Sequence, residues 1–144
     1  MPTRYEKGLA RMAEIDHGQV ERIIAGLADI APDFARYLVE FAFGDIYARP
    51  GLDLRSRQIA TVAALTALGA LPQLKVHIHG ALTTGCSREE IVEVIMQMAV
   101  YAGFPAALNA LALAKEAFAE HRQRGTVSCR INAAMPATGV GSRT

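Results

Sequence analysis

Two histidines, His77 and His79, stand one residue apart in QLKVHIHGALTTGCSREEI (residues 73–91), and Cys86 follows them. Imidazole and thiol groups serve metal binding, redox chemistry and proton transfer alike. At about 100° per residue, helical positions 77 and 79 point about 200° apart, so the two rings cannot chelate one metal from a single helix. His77 borders the apolar stripe Leu71, Leu74, Ile78 and Leu82. It lies at four-residue spacing from Gln73 and Ala81, with Gly80 and Thr84 completing a strip of small residues. Such a strip suits either close helix packing or a pocket wall. A half-buried imidazole there titrates near neutrality, as a general acid or base requires. Two readings of His77 stand: an acid/base group, or a core histidine with its hydrogen bonds satisfied. His79 shares its face with Lys75 and Thr83, and is expected in solvent or paired at a subunit contact.

Cys86 sits in a corner with a structural job. Gly85 can end one helix, while Ser87 and Glu90 form the S-x-x-E capping box of the next. A thiol in that place reads as buried and inert. Cys129 is distant and neither cysteine belongs to a C-x-x-C pair, so no disulfide framework or zinc cage is encoded, which fits a reducing cytoplasm.

Arg55 and Arg57 fall in the first turn of an apolar helix, where the helix dipole disfavours cations. Each is expected to meet either a carboxylate, from Asp53, Asp45 or Glu40, or an anionic ligand. A pocket with such a cation at its rim and His77 on its wall suits a small carboxylate substrate.

The elements that must position these groups read as helices throughout. The chain of 144 residues is long enough for one core and too short for two ordinary domains. It is 51% apolar, has no Trp and is only 6% aromatic, so burial rests on Ala, Leu, Ile, Val and Met, which suit closely packed helices. Apolar residues recur at three- and four-residue steps, with Gly and Pro between segments, which predicts an all-α domain of about seven helices. They are expected over 3–15, 17–28, from Pro32 onward with Phe34, Leu38 and Phe41 on one stripe, 54–68, 72–84, 87–101 and 104–122. IATVAALTALGAL (59–71) is apolar almost all round and is expected at the centre, enclosed by its neighbours. The domain is expected to span 1–122. Residues 123–144 show no helical stripe and read as a disordered, mildly basic tail. A formal net charge of +1 with no basic stripe argues against nucleic acid, and charges through the N-terminus and a short longest uncharged run argue against a signal peptide or membrane span. Eight alanines between Ala102 and Ala119 let the last helix approach its neighbours closely, and so apolar a chain predicts a homo-oligomer, although the same alanines also suit packing within one chain.

The stretches RYEKGLARM (4–12), FGDIYARPGLDLRSRQIATVAAL (43–65) and LKVHIHGALTTGCSREEIVEVIMQMAVYAGFPAALNA (74–110) together resemble the carboxymuconolactone decarboxylase family, whose fold is shared with alkylhydroperoxidase D-type proteins. The resemblance covers residues 4 to 121. It implies an all-α subunit that assembles, often as trimers or hexamers, with pockets near subunit contacts. The peroxidatic branch of the fold carries C-x-x-C-x-x-x-H. Counted back from His77, the two cysteine positions hold Ala70 and Gln73, and the position of that branch's helix-borne glutamate holds Gln58. Without paired thiols the chain cannot cycle through an intramolecular disulfide.

What the resemblance implies is the decarboxylase branch, which needs no metal or organic cofactor and is cytoplasmic. Its reaction is loss of CO2 from 4-carboxymuconolactone to give 3-oxoadipate enol-lactone in aromatic (protocatechuate) catabolism. Carried onto this chain, Arg57, helped by Arg55, would bind a substrate carboxylate. His77 would protonate the dienolate or stabilise its oxyanion, and Gln58, Gln73, His79 and Tyr101 would be polar wall residues. The competing readings are a non-catalytic, small-molecule-binding member of the family and a single-cysteine redox protein dependent on Cys86.

Overall fold

The computed structural model describes residues 1–133. Among them every regular element is helical, as the composition predicts: α1 (Arg4–Ala13), α2 (Gln19–Leu27), α3 (Pro32–Tyr37) continuing directly into a π-helical segment (Leu38–Tyr47), α4 (Leu54–Leu68), α5 (Leu71–Thr83), α6 (Arg88–Ala102) and α7 (Phe104–Ala133). None of these helices is long and apolar enough to cross a membrane.

Two apolar clusters organise the chain. The larger joins α4 to α7 through Val62, Leu74, Ile78, Ile91 and Ile95, against the alanine face Ala107, Ala110, Ala114 and Ala117 of α7. These alanines are buried within the subunit, so the small-residue face of α7 serves intrachain packing. The smaller cluster holds Met12 and Ile15 of the first helix and its exit against Val39 and Phe43 of the π segment. There the backbones nearly touch: a Cβ on Gly8 would collide with the Val39 carbonyl, and one on Gly44 with the Arg4 carbonyl. Only glycine fits at such a crossing.

The helix ends follow their local chemistry. Thr3 caps α1 and Ser87 caps α6, each with a reciprocal glutamate three residues on, and Asp53 caps α4 by accepting from the Ser56 N–H at 2.7 Å. Gly85, expected to close α5, takes φ 100°.

Three expectations change. Of the stripe Phe34, Leu38, Phe41, Leu38 packs against the smaller cluster, but Phe34 and Phe41 are about three-fifths exposed, while Ala35, Val39 and Phe43 are buried. The π segment supplies the reason, because i→i+5 bonding turns its residues out of the 3.6-residue register on which the stripe was read. The apolar helix 59–71 is central but not enclosed: Val62 and Thr66 are buried, whereas Leu68 is 77% exposed. Finally, α7 does not stop at Arg122 but runs to Ala133, so 123–133 is helix where a disordered tail was expected. Gln123, Arg124, Gly125 and Thr126 are all exposed, so no stripe marks that turn. The rest of the expected tail, 134–144, lies outside the described residues.

Candidate active site

The seam between the two clusters is where α4 and α5 bring polar groups together. Gln58 lies on the inner face of α4 and is wholly buried. Its Oε1 is 3.0 Å from Nδ1 of His77 on α5. As an acceptor, that carbonyl fixes the proton on Nδ1 and leaves Nε2 as the atom of His77 that can exchange a proton with a ligand. Gln58 Nε2 is buried with no hydrogen-bond partner among the described residues. Burial alone pushes the His77 proton affinity below its ordinary value, so the ring is neutral at neutral pH.

Gly80, one turn beyond His77, leaves the room for this pair. A Cβ there would sit 2.6 Å from Ile15 Cγ2 and 3.2 Å from Gln58 Oε1. The absence of a side chain at Gly80 therefore lets Gln58 and Ile15 both close against α5 beside the imidazole. His77 is thus half-buried and hydrogen-bonded, in a place where its ring retains some access.

The two arginines separate cleanly. Arg55 pairs with Glu90 of α6, a partner 35 residues away and none of the three carboxylates anticipated. Asp53 is occupied as the α4 cap and Asp45 pairs with Arg4. The Ser87 N–H, then Arg55, holds the Glu90 carboxyl below its usual range. Arg57 has no carboxylate partner among the described residues. Its Nε donates to the Leu52 carbonyl at 3.1 Å and Nη2 to the Arg49 carbonyl at 3.2 Å. The guanidinium also lies 5.7 Å from the Tyr47 ring centroid. Tyr47 is fixed in turn: Thr61 spends its hydroxyl proton on the Arg57 carbonyl at 2.8 Å, so it accepts from the Tyr47 hydroxyl at 2.7 Å. Arg57 is therefore a half-buried cation, oriented by carbonyls and an aromatic face, with its charge uncompensated and its Nη1 unused.

Other expected wall residues fall elsewhere. His79 is buried, 6% exposed, rather than solvated; its Nε2 is 3.1 Å from Glu120 Oε2 on α7, on the face of α5 away from His77. The same carboxylate takes Lys75 at 2.7 Å. Gln73 is exposed a turn before His77, and Tyr101 is 76% exposed at the C-terminal end of α6. No hydrogen bond joins either to the His77 pair among the described residues. Cys86 is 4% exposed, and burial raises its thiol above the ordinary cysteine value, the opposite of a reactive thiolate.

Sequence reasoning passed over Tyr47 and Thr61. The one available signal was that Arg57 and Thr61 are four apart on α4, which puts them on one face; that Tyr47 reaches the same face depends on the path of the 48–53 turn.

The chain is 34% identical over 116 residues, 80% of its length, to a 4-carboxymuconolactone decarboxylase of Acinetobacter baylyi, covering 87% of that protein. It is 38% identical over 93 residues, 63% of its length and 69% of the other, to an uncharacterized 15.0 kDa protein of Paracoccus denitrificans. It is 30% identical over 88 residues, 61% of this chain and 62% of the other, to a nitrosuccinic acid decarboxylase of Metarhizium robertsii. The family profile matches residues 32–116, a span that holds the Gln58–His77 pair, Arg57 and the Tyr47 ring beneath it, and the chain belongs to the carboxymuconolactone decarboxylase family.

Proposed function

We propose that this protein decarboxylates a small carboxylated lactone, 4-carboxymuconolactone, to the enol-lactone and CO2. The observation that carries the reading is the Gln58–His77 hydrogen bond, set one residue from an arginine that has no carboxylate of its own. In such a lactone the leaving carboxylate is on a carbon vinylogous to the lactone carbonyl. Breaking the C–CO2 bond sends its electron pair into a dienolate spread over the lactone. The proton that completes the product passes from His77 Nε2 to carbon, and water restores it to the ring. The chemistry asks the protein to orient, to polarise and to deliver one proton.

Arg57 is the carboxylate anchor, since its Nη1 faces no competitor. The ligand's negative charge offsets the desolvation that keeps His77 neutral in the empty site, so proton uptake at His77 accompanies substrate binding. Gln58 Oε1 supports the imidazolium through Nδ1–H. Similarity to two proteins named as decarboxylases supports the reaction class. A nitro group and a lactone carbonyl are both electron sinks for the pair released with CO2, so carbanion stabilisation suits either kind of substrate. The buried, raised thiol of Cys86 argues against a thiol-dependent reaction. Large exposed apolar side chains on α6 and α7 support assembly into a homo-oligomer that covers them.

The test is disappearance of 4-carboxymuconolactone absorbance with purified protein. Turnover that falls at least about a hundredfold in His77→Ala and in Arg57→Ala, and survives Cys86→Ser, is the expected result. A folded wild-type protein without turnover overturns the substrate assignment.

A further inference from the structure

A second polar cluster lies on the far face of α5. Asp16 and His17 from the α1–α2 corner, His79 and Thr83 from α5, and His121, Arg124 and Gly125 from α7 line a cleft of about 260 Å³, floored by Ile15. The rings of His79 and His121 are 5.9 Å apart, centre to centre. Among the described residues no three His, Cys, Asp or Glu side chains are arranged to hold a metal ion.

The charges around the cleft do not cancel. Asp16 is spent on Arg22 at 2.8 Å and on the Gly18 N–H at 3.0 Å. Glu120 is shared between Lys75 and His79. Arg124 has no carboxylate partner among the described residues. Neither has Arg88, which stacks on Phe118. His17 is exposed at the mouth. Positive charge and imidazole donors thus converge on a concave surface from three separate segments. We infer that this cleft binds a small oxyanion, held by Arg124, His121 and His17, at a site separate from the Arg57–His77 region.

The electrostatics of His121 agree with that reading. Burial, then the neighbouring His79, Arg124 and Arg88, holds its proton affinity below the ordinary value. The titratable and charged groups around it are Asp16 and His17 from the first corner, His79 from α5, Arg88 from α6 and Arg124 on its own helix, while Glu120, its neighbour in sequence, is shared by Lys75 and His79. An oxyanion among them relieves the repulsion, so His121 takes up a proton as the anion binds. Carboxylates and inorganic oxyanions share the chemistry that guanidinium and imidazolium recognise.

Isothermal titration with sodium sulfate and with sodium succinate, at constant ionic strength near pH 7 and in two buffers of different ionisation enthalpy, tests this without reference to turnover. The expected result is saturable binding of one or both anions with net proton uptake. Affinity should drop about tenfold or more in Arg124→Gln, and proton uptake should be lost in His121→Gln. Binding that persists unchanged in Arg124→Gln but is lost in Arg57→Gln assigns the anion to the other face of α5 and overturns the inference. Absence of saturable binding in the wild type overturns it as well. Neither result bears on whether the lactone is turned over.

Discussion

Arg55 and Arg57 have the same side chain, the same helix and neighbouring turn positions, yet the structure gives them different work. Arg55 is neutralised by Glu90, and Arg57 is held by two carbonyls and the Tyr47 ring. Carbonyls orient a guanidinium without cancelling its charge, so the available cation is Arg57. Arg57→Gln should therefore raise KM for a carboxylated lactone about tenfold or more, the worth of one charge-assisted bond. Arg55→Gln should change KM much less, and steady-state kinetics on the two variants decides between them. Two histidines make a separate prediction about pH. His77 through burial, and His121 through burial and its cationic neighbours, bind protons less readily in the folded chain than in the unfolded one. Unfolding is then favoured as acid drives protons onto the unfolded rings. Their full contribution to stability holds above about pH 6.5, begins to fall there and is lost as pH drops through the folded values. Urea midpoints measured from neutral pH downward should decline, and the decline should be shallower in His77→Gln. The family resemblance assigned Gln58 and His77 to one pocket, but their hydrogen bond is seen only in the structure. That Arg55 meets Glu90 and His79 meets Glu120 was not legible either, because both contacts join residues far apart in sequence.

At the level of elements, local signals were read well wherever the local backbone decides the outcome. Ser87 and Glu90 do form the capping box expected of them. Ser87→Ala should cost about 1 kcal/mol of stability with little change in turnover, as chemical denaturation can show. Gly80 is an element-level constraint with a functional edge, since its missing side chain is what lets α5 lie against Gln58 and Ile15. Gly80→Ala should destabilise the fold by about 1–3 kcal/mol and lower kcat as Gln58 is displaced from His77. Retention of full kcat in that variant would show that the hydrogen bond is dispensable. Where periodicity failed, the cause is physical: the π-helical turns of Leu38–Tyr47 break the register that a 3.6-residue pattern assumes, and α7 continues past Arg122 through residues 123–126, all exposed, which give no stripe.

For the whole molecule, the subunit leaves much apolar surface uncovered. Met96, Val100, Phe104 and Leu108 line a groove between α6 and α7 and are each at least half exposed, and Leu68 stands out from α4. The proposed assembly would cover this patch, so sedimentation at micromolar concentration should find an oligomer, and Val100→Asp should shift it toward monomer. The greasy composition pointed to assembly, whereas the alanine face first considered for it turned out to serve the interior. The buried amide of Gln58 bears on the molecule as a whole in another way. A donor sealed from solvent without an acceptor costs about 1–3 kcal/mol of folding free energy. An apolar side chain of similar length removes that cost together with the hold on His77. Gln58→Met should accordingly melt at a higher temperature than the wild type while turning over more slowly, a trade of durability against activity concentrated in one side chain.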